Sequence, residues 1–127
     1  MVMDPLAARR AKRKDINLKG SFRIKDDLRY KLHLYREPVD LTLTDVSALG
    51  CGFTTAYFLP KGLVVLLRLL DFPVPGAKGK PETKDMEFSG RVMICKTAPS
   101  RVNKVGVEFV DIKEEDFDII KRYIETD

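Results

Sequence analysis

From residue 28 onward, apolar and polar positions alternate. Leu28, Tyr30, Leu32 and Leu34 interleave with Arg29, Lys31, His33 and Tyr35. A period of two predicts a strand with the leucines on one face. Arg36-Glu37-Pro38 predicts a turn, and Val39, Leu41 and Leu43 then alternate with Asp40, Thr42 and Thr44 in a second strand. The sequence Asp45-Val46-Ser47-Ala48-Leu49-Gly50 closes that strand, and residues 51–55 form a third. Gly50 and Gly52 suggest a turn or bulge where the backbone needs freedom. Leu59-Pro60-Lys61-Gly62 predicts another turn. Residues 63–72 are almost continuously apolar, which predicts a fourth strand buried on both faces. Residues 73–85, rich in Pro, Gly and Lys, predict a long exposed loop. A fifth strand is expected over 87–96, with its alternation disturbed near Gly90. After a turn at 99–103, Val105, Val107 and Phe109 alternate with polar or small residues in a sixth.

The two ends read differently. Asp111 with Glu114 fits a capping box, acids crowd the following turn, and Phe117, Ile120 and Ile124 recur at helical spacing. A C-terminal helix packed on the sheet follows. Residues 16–25 read equally as a short strand or a turn of helix. Residues 1–15 are polar and basic, a flexible arm that is disordered when free or helical over 6–12. The expected fold is therefore mainly β. It consists of an antiparallel six-stranded barrel with a C-terminal helix, spanning 16–127, preceded by the 1–15 arm.

Composition refines this picture in two places. The chain has 127 residues, 44% hydrophobic and 33% charged, which suits one soluble globular domain. The net charge is only +4, but it is concentrated: residues 9–14 read Arg-Arg-Ala-Lys-Arg-Lys, five cations in six positions. Local charge of this density points to a polyanionic partner. Cys51 and Cys95 fit no metal spacing and are expected as two buried, reduced thiols. No apolar run is long enough to span a bilayer and no signal-peptide pattern is present, so the default expectation is a cytoplasmic location.

Two constellations carry candidate chemistry. The first is the arm, in which Arg9 and Arg13 share a face if it is helical. A guanidinium fork donates paired hydrogen bonds to phosphate, and it fits the O6 and N7 acceptors of guanine equally well. The bland alternative is a solvated basic tail. The second is Asp45-x-Ser47-x-x-Gly50. A carboxylate accepts from the N1 and N2 donors of guanine, a hydroxyl bonds a base or phosphate, and glycine admits a close ligand. Its bland alternative is a side-chain-closed turn. His33 sits mid-strand, without the elbow or oxyanion signal that a hydrolase would need, and no nucleophile, base and metal set converges anywhere. The expectation is therefore no enzyme, no catalytic residues, no metal and no cofactor. Arg101 and Lys104 flank a turn and add at most a basic rim.

Together the two constellations resemble the PilZ family, whose pattern is R-x-x-x-R followed by [D/N]-x-S-x-x-G. Arg9-Arg10-Ala11-Lys12-Arg13 matches the first part and Asp45 to Gly50 the second. Ser89-Gly90-Arg91-Val92, Val105-Gly106-Val107-Glu108-Phe109 and the closing helix are similar to that family's last strands and helix. The resemblance implies a bacterial receptor for cyclic di-GMP. Arg9, Arg13 and, as an additional candidate, Arg10 would bind phosphates and guanine edges, Asp45 and Ser47 would read guanine, and Gly50 would permit the turn. Arg10 with Lys14 offers the same spacing as Arg9 with Arg13. The implied function is a sensor that orders its arm over the nucleotide and so changes a surface for a protein partner. The alternatives are a barrel that binds nucleic acid, which ranks lower for want of interleaved basic and aromatic residues, or one that binds protein alone.

Overall fold

A computed structural model describes residues 12–25, 38–75 and 82–126. The described residues form six strands and one helix: β1 (Arg13–Ile24), β2 (Val39–Ser47), β3 (Gly50–Thr55), β4 (Val64–Val74), β5 (Glu82–Thr97), β6 (Asn103–Asp111) and α1 (Glu114–Glu125). Every pairing is antiparallel. The strand order β1-β2-β3-β6-β5-β4 closes on itself because β1 bonds both β2 and β4.

Six strands were expected and six are found, but the first is a different segment. The strand expected over 28–35 and the arginines at 9 and 10 lie outside the described residues. The 16–25 segment, open between strand and helix, is strand. Ile16, Leu18, Phe22 and Ile24 point to the core side at a period of two. Gly20 takes the missing apolar place in that series: a Cβ there would lie 2.5 Å from the Arg68 carbonyl oxygen. The boundary of the arm also moves, since Arg13, Lys14 and Asp15 pair with Ser47, Val46 and Asp45 inside the sheet.

Two other expectations are corrected. β4 is buried on one face only: Val65, Leu67 and Leu69 are buried, whereas Arg68 and Leu70 are exposed. The 73–85 loop is much shorter than expected, because Phe72, Pro73 and Val74 pair with Lys84, Thr83 and Glu82. A bulge between Leu69 and Phe72 precedes the proline, with Asp71 at φ 57. Proline is tolerated beside such a break in the ladder, where an amide donor is not required.

The inward faces make one core. Phe22 and Phe53 lie with ring centroids 5.8 Å apart, and Leu43, Val65, Leu67 and Phe72 are wholly buried around them. The helix α1 packs on β2 and β4 through Ile119, Ile120 and Ile124. Phe117 is only half-buried and meets Phe109 edge-on at 6.4 Å. Asp111 does not cap this helix. It ends β6, and Lys113 is the N-cap, without a side-chain capping bond. The first turn is tied down instead by Lys84, whose Nζ lies 2.6 Å from both Asp116 Oδ1 and Glu115 Oε1. At the other end, Lys14 Nζ donates to the carbonyls of Tyr123, at 2.9 Å, and Thr126, and sits over the Tyr123 ring. A cation on the last carbonyls satisfies orphan acceptors and complements the helix dipole.

Candidate functional site

The antiparallel register lays outward-facing residues in rows across β2, β3, β6 and β5. One row begins with Arg13 beside Ser47, passes Gly50 beside Glu108, and ends with Glu108 beside Arg91. The next row runs Asp45, Gly52, Gly106, Ile94. The third runs Thr42, Thr54, Lys104, Lys96. In the middle row, two facing glycines leave the sheet without side chains between Asp45 and Ile94. The result is a groove of about 470 Å³ lined by Arg13, Asp45, Gly52, Ile94, Lys104 and their neighbours. That volume lies within the range of sites that hold a drug-sized ligand.

The sequence-derived site residues within the described segments, Arg13, Asp45, Ser47 and Gly50, each have a definite place here. Arg13 is exposed, lines the groove and takes part in none of the ion pairs among the described residues. Lys14, its neighbour, projects to the helix instead, so the alternative register of Arg10 with Lys14 puts its second cation on the wrong side of β1. Asp45 sits at a bulge in β2, between Leu43 and its own pairing with Gly52. Its Oδ2 accepts from the Thr44 hydroxyl at 3.1 Å. A Cβ on Gly52 would approach that same oxygen to 2.6 Å, so the absent side chain is what lets the carboxylate lie over the groove floor.

Ser47 and Gly50 form the turn itself. The Ser47 hydroxyl is buried, accepts from the amides of Leu49 at 3.1 Å and Gly50 at 3.2 Å, and lies 3.3 Å from the Gly50 carbonyl. This is a side-chain-closed turn, the bland alternative raised by the sequence. Gly50 is required by close approach, since a Cβ would fall 1.9 Å from the Val107 carbonyl oxygen. Beneath the floor, Cys51 is buried as expected, whereas Cys95 is only partly buried. Burial, and secondarily the charge of Asp45, push the Cys51 thiol pKa far above the ordinary value. The thiol stays protonated and unreactive.

Sequence reasoning missed the groove's floor and far wall. Gly52 was read as backbone freedom and Gly106 as part of a strand, yet a glycine in a strand interior often marks a close approach. Lys61 and Lys96 were not singled out, and Lys104, read only as flanking a turn, lies within β6 and lines the groove.

The fold, the turn and the groove can now be set against known proteins. The family model described as PilZ domain matches residues 8–126. The chain belongs to the PilZ domain family. No curated protein matches this PilZ chain. Among solved structures, it is similar to the Bacillus subtilis inhibitor of motility, MotI/DgrA. That match has a TM-score of 0.69 and 18% identity and covers 92% of this chain and 49% of the other. The PilZ chain thus spans about half the length of that protein. It is also similar to the PilZ domain of YcgR from Escherichia coli, a structure described as containing c-di-GMP. Here the TM-score is 0.58 and the identity 13%, covering 92% of this chain and 88% of that one. At these identities the likeness is one of fold. Among the described residues, no helix is long and apolar enough to cross a membrane, and no three His, Cys, Asp or Glu side chains are grouped to hold a metal ion.

Proposed function

We propose that this PilZ domain is a non-enzymatic receptor module for cyclic di-GMP, with the groove over Gly52 and Gly106 as its binding site. The observation that carries the reading is the β1–β2 register. It sets Arg13 directly beside Ser47, so the last arginine of R-x-x-x-R and the Asp, Ser and Gly of D-x-S-x-x-G line one cavity. Asp45 then accepts from the guanine N1 and N2 donors, and Arg13 takes a phosphate or the O6/N7 edge. Ser47 contributes by holding the turn and Gly50 by permitting it. Arg9 and Arg10, which precede β1 in the chain, close over the nucleotide, and the surface so formed is offered to a protein partner. The phosphate contacts offset the cost of ordering that segment.

Titration calorimetry with cyclic di-GMP tests the reading. The wild-type protein is expected to bind, and Arg13→Ala and Asp45→Ala each to weaken binding by at least about tenfold, the scale of one lost charge-assisted contact. Absence of heat with the wild type, or unchanged binding in both variants, would sink it. Displacement of the dinucleotide by single-stranded DNA, steeply dependent on salt, would instead place the groove among nucleic-acid sites.

A further inference from the structure

We infer that Lys61, Lys96 and Lys104 form a second anion-binding wall of the groove, one that takes a phosphodiester group distinct from the one held by Arg13. The inference rests on the groove being a nucleotide site. It assigns to that site a requirement for two phosphates.

The first observation is a like-charge pair. Lys96 and Lys104 are direct partners across β5 and β6, and both are exposed on the same outer face. Like charges directly opposite on a sheet are unfavourable. Several other strand cations do have acidic partners: Lys84 has Glu115 and Asp116, Arg91 has Glu108, and Arg68 lies 4.0 Å from Asp85, although Lys19 and Arg23 of β1 take part in none of these pairs. None of the ion pairs among the described residues includes Lys61, Lys96 or Lys104.

The second observation is convergence. Lys61 comes from the turn between β3 and β4, which is held against β5 by the Gly62 amide donating to the Val92 carbonyl at 2.7 Å. That turn brings a third cation to the cavity lined by the β5–β6 pair.

The third observation is the ground between the two basic ends. The Lys104 row and the Arg13 row are four strand residues apart, about 13 Å along the strands at ~3.3 Å per residue, and Arg13 and Lys104 themselves also stand three strands apart, on β1 and β6. Between them lie the bare backbone of Gly52 and Gly106 and the 45%-exposed side chain of Ile94. A flat base can rest on that strip, and the long Arg13 and lysine side chains reach toward the ligand from both ends. A nucleoside monophosphate offers only one anionic group and satisfies one end. A dinucleotide offers two. The lysine wall therefore selects for a two-phosphate ligand over GMP, and the uncompensated repulsion between Lys96 and Lys104 is relieved when that ligand arrives.

Calorimetry on the full chain, comparing wild type, Arg13→Ala and the double variant Lys96→Gln/Lys104→Gln at low and high NaCl, decides the matter. The double variant is expected to bind cyclic di-GMP about tenfold more weakly at low salt. It should also lose much of the wild type's salt dependence and melt no lower than the wild type when empty. Lys104→Arg, which keeps the charge, is expected to keep the affinity. Wild-type affinity and salt dependence in the double variant would overturn the inference. So would a lowered melting point that accounts for the binding loss. If the wild type binds no cyclic di-GMP, the nucleotide reading fails and inorganic pyrophosphate decides the wall by itself. Binding that survives Arg13→Ala but not the double variant supports it. No binding, or equal binding in both variants, overturns it.

Discussion

On the helix side of the ring, Lys84 lies 2.6 Å from two carboxylates, one of them almost wholly buried. Lys14 is spent on the last carbonyls of α1. On the groove side, Lys96 faces Lys104 with no acid between them, and Arg13 projects into the cavity unpaired among the described residues. Arg13 and Lys14 are adjacent in one strand, yet strand alternation sends them to opposite fates. The contrast separates charge that builds the fold from charge held in reserve for something outside it. Satisfied cations anchor α1 on the core. Unsatisfied ones surround a glycine floor, where extra stability has been forgone.

That division can be broken by substitutions on either side. Ile120→Ala empties a fully buried site under α1 and is expected to cost about 3 kcal/mol in urea unfolding, while leaving cyclic di-GMP affinity unchanged where the protein is folded. Asp116→Asn removes the buried half of the Lys84 pair. About 1–2 kcal/mol is expected, less than for a fully buried pair because Lys84 keeps a third of its side chain in water. Loss of nucleotide affinity in either variant would show that the two sides are not independent.

Gly52→Ala probes the other side. Its methyl group meets the end of a flexible side chain, Asp45, so the stability change is expected to stay within about 1 kcal/mol, by thermal melting. Affinity, in contrast, should fall clearly as the carboxylate is displaced. The smallest effect expected is one of pH. Hydrogen bonding to Lys84 lowers the Glu115 pKa, so its contribution is present above the ordinary carboxylate value of about 4.3 and is lost as pH falls through the depressed one. Lys84 is raised by the same contacts, so its share is lost only in strong alkali, as pH rises through its elevated value. Melting curves of wild type and Glu115→Gln should therefore differ near neutrality and converge as pH falls through the depressed Glu115 value. A constant gap would show that Glu115 acts by packing.

Much of this was legible in the chain. The alternation of Val39, Leu41 and Leu43 and of Val105, Val107 and Phe109 located β2 and β6, since each buries a single face. The first strand was obscured because Gly20 occupies a core-facing place in β1, where the Arg68 carbonyl leaves no room for a side chain. The extension of β4 and β5 was obscured by Pro73, which reads as a loop residue unless the bulge before it is known. Of the site, Arg13, Asp45 and Gly50 were named from the sequence and share one cavity. The lysine wall was not, because only the β5–β6 register sets Lys96 beside Lys104 and only the Gly62–Val92 hydrogen bond holds the turn of Lys61 against β5. Ser47 was named for its hydroxyl, and the structure shows that hydroxyl engaged with the turn.

The pairing of β1 carries one more consequence. β1 bonds β4 only from Gly20 to Ile24, and the Asp15 carbonyl on the unpaired stretch before it accepts from the Tyr123 hydroxyl of α1 at 3.0 Å. The helix thus shields a length of strand edge that would otherwise be open to addition by another chain. A variant of this domain that sheds α1 would expose not only an apolar surface but a template for intermolecular β-pairing, and self-association would begin at β1, next to Arg13.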